Sequence, residues 1–92
     1  PFVIDGFITS VAAACATHIN ARVKDYALPS HYSKEKGTEI ALAEVGITQD
    51  MVPIQAQMSM GEGTGAILMV QMLKTTQHMF VNVGTFAELM KL

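Results

Sequence analysis

Apolar residues recur along this chain with two different periods, and the changes between them mark its elements. Phe2-Val3-Ile4 is a short continuous apolar run of the kind that forms a buried strand, and Asp5-Gly6 ends it. Phe7, Val11 and Cys15 then recur every four residues, with Ile8 and Ala12 beside them. That spacing predicts a helix over roughly residues 6–20, with Asp5 accepting hydrogen bonds from its first free amides and Cys15 as buried filler. Val23 to Leu28 reads as a second strand stopped by Pro29, after which Ser30-His31-Tyr32-Ser33 loops into a helix near residues 36–45 capped by Gly46.

From Ile47 to Ser59 the pattern is a loop. Pro53 breaks any long helix there, and the alternation of Ile54, Ala56, Met58 and Met60 allows a short extended segment. Thr64 to Met79 carries the longest helical signal, with Ile67, Val70, Met72 and Leu73 joined by apolar residues on the other flanks, so burial on most sides is expected. A last short helix is announced by Thr85-Phe86-Ala87-Glu88, a Thr-x-x-Glu capping box after Gly84. Met69, Met72, Met79 and Met90 read as core filling; Met58 and Met60 flank a glycine-rich loop and suit a ligand wall as well.

Composition narrows what such a chain does. Half of the 92 residues are hydrophobic and only 15% are charged. A single domain of this length buries roughly 60–65% of its unfolded surface, so its own core is thin and its apolar faces call for cover. The chain opens at Pro1 and runs straight into strand-like sequence, which reads as a piece of a longer protein. A net charge of −2 with six scattered Lys and Arg provides no basic face for nucleic acid. No apolar run reaches the roughly 20 residues of a membrane span, and no basic segment precedes a signal-like apolar stretch. The lone cysteine excludes an internal disulfide and a cysteine-rich zinc site and fits a reducing compartment, so the cytoplasm is expected.

Candidate chemistry gathers at three loops. In Gly61-Glu62-Gly63-Thr64-Gly65 one carboxylate stands at the mouth of a helix, with glycines that admit close approach and no cation nearby in sequence. Burial of that loop would raise the proton affinity of Glu62 toward that of a general base; equally, Glu62 reads as a first-turn carboxylate that complements the helix dipole. The run lacks the Gly-Lys-Ser/Thr ending of a P-loop. Asp5-Gly6 lies where ligands bind beyond the carboxyl end of a parallel strand, and is also an ordinary turn and cap. Ser30 to Ser33 follows the second strand onto the same rim, with Ser33 either a ligand group or the cap of the next helix. His31 is a candidate base without a partner at triad spacing, His18 and His78 read as helix-surface or core residues, and no pair of histidines has metal-ligand spacing.

The ordered set Ile4-Asp5-Gly6-Phe7-Ile8, Asp25-Tyr26, Ser30-His31 with Ser33, Gly61-Glu62-Gly63-Thr64-Gly65-Ala66 and Gly84-Thr85-Phe86-Ala87 resembles the carboxyl-terminal part of the nicotinate-nucleotide:dimethylbenzimidazole phosphoribosyltransferase family. The resemblance implies an α/β fold: a fragment of a Rossmann-like parallel sheet with flanking helices, ending in helices of a smaller domain, with residues 1–92 as an incomplete carboxyl-terminal portion. It implies transfer of the phosphoribosyl group of nicotinate mononucleotide to 5,6-dimethylbenzimidazole or a related base, giving α-ribazole 5′-phosphate and nicotinate in cobalamin synthesis. Carried onto this sequence it makes Glu62 the general base, sets Met60 and Gly61 beside the base pocket, and sets Asp5, Gly6 and Ser33 on the mononucleotide side. It implies a homodimer acting on small molecules with no metal or other cofactor, and an isolated 92-residue chain that is inactive. Tyr32 stands where arginine is frequent in the family, and Thr48 to Asp50 looks like an insertion. The contrasting expectation is a non-catalytic α/β module that binds nucleotide or self-associates without turnover.

Overall fold

The computed structural model describes residues 1–58 and 62–91. Strand β1 (Phe2–Ile4) leads into helix α1 (Phe7–Ile19), and the chain returns to strand β2 (Ala27–Pro29), which pairs with β1 in parallel. Phe2 lies opposite Ala27, Val3 opposite Leu28 and Ile4 opposite Pro29. Helix α2 (Thr38–Glu44), helix α3 (Thr64–Asn82) and the short α4 (Phe86–Leu89) follow. The class is mixed α/β, organised around this small βαβ unit.

The second strand is shorter than the sequence predicts. Ala21–Tyr26 coil into a 3₁₀ helix because the Asn20 side chain accepts from the Arg22 amide at 3.0 Å, turn chemistry that competes with extended backbone. Pro29 belongs to β2 as its last residue, where a missing N–H costs the ladder little. Beyond it the extended path continues: Ile54 N–H donates to the Ser30 carbonyl at 3.0 Å and Tyr32 N–H to the Ile54 carbonyl at 2.9 Å, a parallel bridge that bears out a short extended segment at Ile54. Gln49–Met51 form a 3₁₀ turn that overlaps the expected insertion at Thr48 to Asp50.

Ile4, Ala13, Ala14, Leu42, Val45, Ile47 and Val52 make the core, with Ala27 and Tyr32 packed against it. The buried face of α1 is Ser10, Ala13 and Ala14, not the Phe7–Val11–Cys15 stripe, and Cys15 is exposed. Small residues win this face because α1 packs directly on α2. Helix α2 ends in a Schellman motif: Gly46, at φ +79°, donates to the Ala43 carbonyl and Ile47 donates to the Leu42 carbonyl, each at 2.9 Å. Leu42 and Ile47, joined by that second bond, are both core residues.

Helix α3, 19 residues and about 28 Å long, reaches away from this core, and the molecule measures 53 × 28 × 20 Å. Among its described residues only Gly65 and Met69 are buried; Ile67, Leu68, Met72, Leu73, Met79 and Phe80 are exposed. The expected burial on most sides is therefore absent, because among the described residues α3 packs chiefly on β1 and its other flanks stay largely uncovered. Met69 is core filling as expected, whereas Met72, Met79 and Met90 are exposed. The Thr85–Glu88 capping box forms as predicted, with Glu88 N–H donating to Thr85 Oγ1 at 3.2 Å and Thr85 N–H to Glu88 Oε2 at 3.3 Å. No helix among the described residues is long and apolar enough to cross a membrane.

Candidate active site

The carboxyl ends of β1 and β2 lie side by side, so Asp5-Gly6 and Ser30-His31 emerge onto one rim. Ser30, fully buried, joins them: its hydroxyl donates toward the Ile4 carbonyl at 2.5 Å and the Asp5 carbonyl at 3.0 Å. The third loop arrives from far along the chain. Gly63 N–H donates to Asp5 Oδ2 at 3.0 Å and Ala66 N–H donates to Asp5 Oδ1 at 3.1 Å, which fixes the first turn of α3 to the end of β1.

Asp5 thus caps a helix, but α3 and not α1 as predicted. The start of α1 is served instead by Thr9, whose hydroxyl accepts from Gly6 N–H at 2.8 Å and donates to the Gly6 carbonyl at 2.9 Å. A carboxylate accepting two amide bonds at a helix N-terminus is favoured both by charge-assisted hydrogen bonding and by the helix dipole.

Between the two helix starts lies His31, 4% exposed. A methyl group on Gly6 would come 3.5 Å from His31 Nε2, and one on Gly65 would lie 2.0 Å from His31 Cδ2, so the ring is packed directly on backbone at both places. Neither imidazole nitrogen makes a hydrogen bond with a described residue. Leaving a buried polar group unsatisfied costs about 1–3 kcal/mol, so two such atoms at the junction of three loops mark unused hydrogen-bonding capacity. Sequence reasoning singled out His31 only as a base without a partner; the signal it missed was the pair of side-chain-free positions, Gly6 and Gly65, that make room for the ring.

Ser33 is buried, and its hydroxyl accepts from Glu35 N–H at 3.2 Å in a local turn. It does not cap α2, whose N-cap is Gly37 at φ +93°. A cavity of ≈ 300 Å³ opens beside it, lined by Tyr32, Ser33, Lys34, Glu35, Gln49, Gln55 and Gln57. Lys34 N–H donates to the Met58 carbonyl at 3.1 Å, which brings Met58 alongside this loop. Met60 and Gly61, predicted beside a base pocket, lie outside the described residues.

Glu62 stands one residue before the Asp5-bound amide of Gly63, so it belongs to the same rim. Its side chain is exposed rather than buried within this chain, and among the described residues it takes part in no ion pair. Its backbone is left-handed, with φ +64°, followed by Gly63 at φ +81°. That conformation costs a non-glycine residue roughly 1–2 kcal/mol and is held only where surrounding contacts impose it.

The site therefore unites Asp5, Gly6, Ser30, His31 and the Glu62–Ala66 turn at one sheet end, with Ser33 in the same loop as His31. A family model described as phosphoribosyltransferase matches residues 1–89. Similar curated proteins named nicotinate-nucleotide–dimethylbenzimidazole phosphoribosyltransferase come from Yersinia enterocolitica, 40% identical over 88 residues that cover 96% of this chain and 24% of the relative, and from Clostridium acetobutylicum, 40% identical over 87 residues covering 94% and 24%. A third, from Salmonella arizonae, is 40% identical over 88 residues, 95% of this chain and 24% of the relative. The chain spans about a quarter of the length of these relatives, and it belongs to the phosphoribosyltransferase family that they represent.

Proposed function

We propose that the complete protein transfers the phosphoribosyl group of nicotinate mononucleotide to 5,6-dimethylbenzimidazole or a related base, the reaction of cobalamin nucleotide-loop synthesis that its relatives' names describe. The bond from ribose C1′ to the nicotinate nitrogen breaks and its electron pair leaves with nicotinate. One imidazole nitrogen of the acceptor forms the new bond to C1′, and the other gives up its proton to the Glu62 carboxylate. General-base assistance of this kind contributes about 10²–10⁴-fold.

One observation carries the reading: the turn bearing Glu62 is tied to the carboxyl end of a parallel strand pair through Asp5, in the position that α/β folds use for ligands. Gly6 and Ser33 supply the mononucleotide side, supported by the nitrogens of His31 beside Gly6, which bond to no described residue, and by the polar cavity at Ser33 and Lys34. Asp5 lies on the same rim. Met60 and Gly61 flank the aromatic acceptor, as the family resemblance implies, with neighbouring Met58 as apolar wall. The exposed carboxylate of Glu62 is closed over by parts of the polypeptide outside this chain, in a Rossmann-like sheet of which β1 and β2 are two strands. The working unit is a cytoplasmic homodimer that needs no metal or other cofactor.

The test is nicotinate release by the complete protein given both substrates, in the parent and in Glu62→Gln. The variant is expected to turn over about 10²–10⁴-fold more slowly. Equal activity removes Glu62 from the mechanism.

A second reading is supported by the uncovered apolar residues of α3, Ile67, Leu68, Met72 and Phe80 among them. On that reading this segment is an interaction module that self-associates without turnover. Sedimentation of the isolated chain separates the two: a stable monomer counts against the module.

A further inference from the structure

Asp5 is buried at the first position after β1, and each of its carboxylate oxygens accepts from an amide of the turn that carries Glu62. One of the donors, Gly63, is the residue directly after Glu62. Glu62 and Gly63 are successive left-handed residues, at φ +64° and +81°, and the first of them is strained. Strained backbone persists only when neighbouring contacts over-determine it. The Gly63 and Ala66 amides thus meet on one carboxylate, that of the residue directly after β1.

Resting on the reading of Glu62 as general base, we propose that Asp5 is its positioning residue: the Asp5 carboxylate clamps the Gly63 and Ala66 amides and so fixes the backbone from which Glu62 reaches the acceptor base. Asp5 acts on the reaction through Glu62 and not by holding the mononucleotide. Its charge matters as well as its shape. The two amides address different oxygens of the carboxylate, and an asparagine would turn a donor NH₂ toward one of them. Loss of one bond lets the turn relax, and a displacement of about 1 Å at a catalytic group costs on the order of 10²-fold.

The experiment is a double-mutant cycle in the complete transferase with Asp5→Asn, Glu62→Gln and both together, measuring kcat and the KM of each substrate, with Asp5→Ala as a further variant. Asp5→Asn is expected to lower kcat by about 10–10²-fold while the KM for nicotinate mononucleotide moves by less than about threefold. Asp5→Ala, which removes both acceptors, is expected to lower kcat further. In the Glu62→Gln background Asp5→Asn is expected to cost less than about twofold, because the group it positions is already gone. A raised KM for nicotinate mononucleotide at unchanged kcat would make Asp5 a substrate contact and overturn the proposal. Losses that multiply in the double variant overturn it too, as does failure of both Asp5 variants to fold, which would leave a purely structural residue. A Glu62→Gln enzyme as active as the parent defeats the general-base reading itself, a failure distinct from those that concern Asp5 alone.

Discussion

His31 occupies the space in which a side chain at position 65 would begin: a methyl group on Gly65 would fall 2.0 Å from His31 Cδ2 and 2.9 Å from both Cγ and Nε2. The ring is buried, so the ring or the backbone of Gly65 must yield. Overpacking of this kind costs about 1–3 kcal/mol, more than the up to about 1 kcal/mol that alanine gains over glycine in a helix. Gly65→Ala is therefore expected to lower the thermal midpoint of the complete protein, and His31→Ser is expected to restore part of the loss. Gly63 supplies the contrast. A methyl group there meets no described residue within 4 Å, so the main cost expected of Gly63→Ala is the backbone penalty of φ +81°. Thermal unfolding of the three variants checks the order, and an unchanged midpoint in Gly65→Ala would show that His31 moves freely.

The sequence made legible those features that close within a few residues. The Gly46 cap and the Thr85–Glu88 box depend on neighbours in the chain, and both form as their residues require. The burial of α1 was not legible in the same way. Large residues drew the expected stripe to Phe7, Val11 and Cys15, yet the face against α2 is made of Ser10, Ala13 and Ala14, because close approach of two helices favours small side chains. Asp5 was misread for a related reason. Its nearest helix is α1, but its partners are 58 and 61 residues away, and no local spacing encodes such a contact. The glycines around Glu62 pointed only to close approach of backbone or ligand; that Glu62 itself would be left-handed required the fold.

Ser30 ties the rim together, and its removal tests how much that tie contributes. The hydroxyl, with no exposed surface, donates to the Ile4 and Asp5 carbonyls at the end of β1. Ser30→Ala leaves those buried acceptors short of a donor, which costs about 1–3 kcal/mol. The expected result is a lower denaturation midpoint together with a fall in activity, because Asp5 is one of the two residues released. Thr75→Ala is a control on α3: its hydroxyl donates to the Gln71 carbonyl at an exposed site, so a change within about 0.5 kcal/mol is expected there. Equal effects of Ser30→Ala and Thr75→Ala would refute a special role for the buried hydroxyl.

The left-handed backbone of Glu62 sets stability against activity at a single position. At φ +64° a glutamate is strained by roughly 1–2 kcal/mol, whereas glycine adopts that region without penalty. Glycine also gives the unfolded chain more freedom, which takes back about 0.4–1 kcal/mol. Glu62 is exposed, so its replacement removes no packed side chain within this chain. Glu62→Gly is therefore expected to leave the stability of the complete protein unchanged or raise it by up to about 1.6 kcal/mol while reducing turnover as far as Glu62→Gln does. Glu62→Asn, which tolerates the left-handed region better than glutamate, is expected to fall between them in stability and to be equally slow. Differential scanning calorimetry beside the nicotinate-release assay reads both quantities. A Glu62→Gly protein that is both less stable and fully active would mean that the strain is absent and the carboxylate idle.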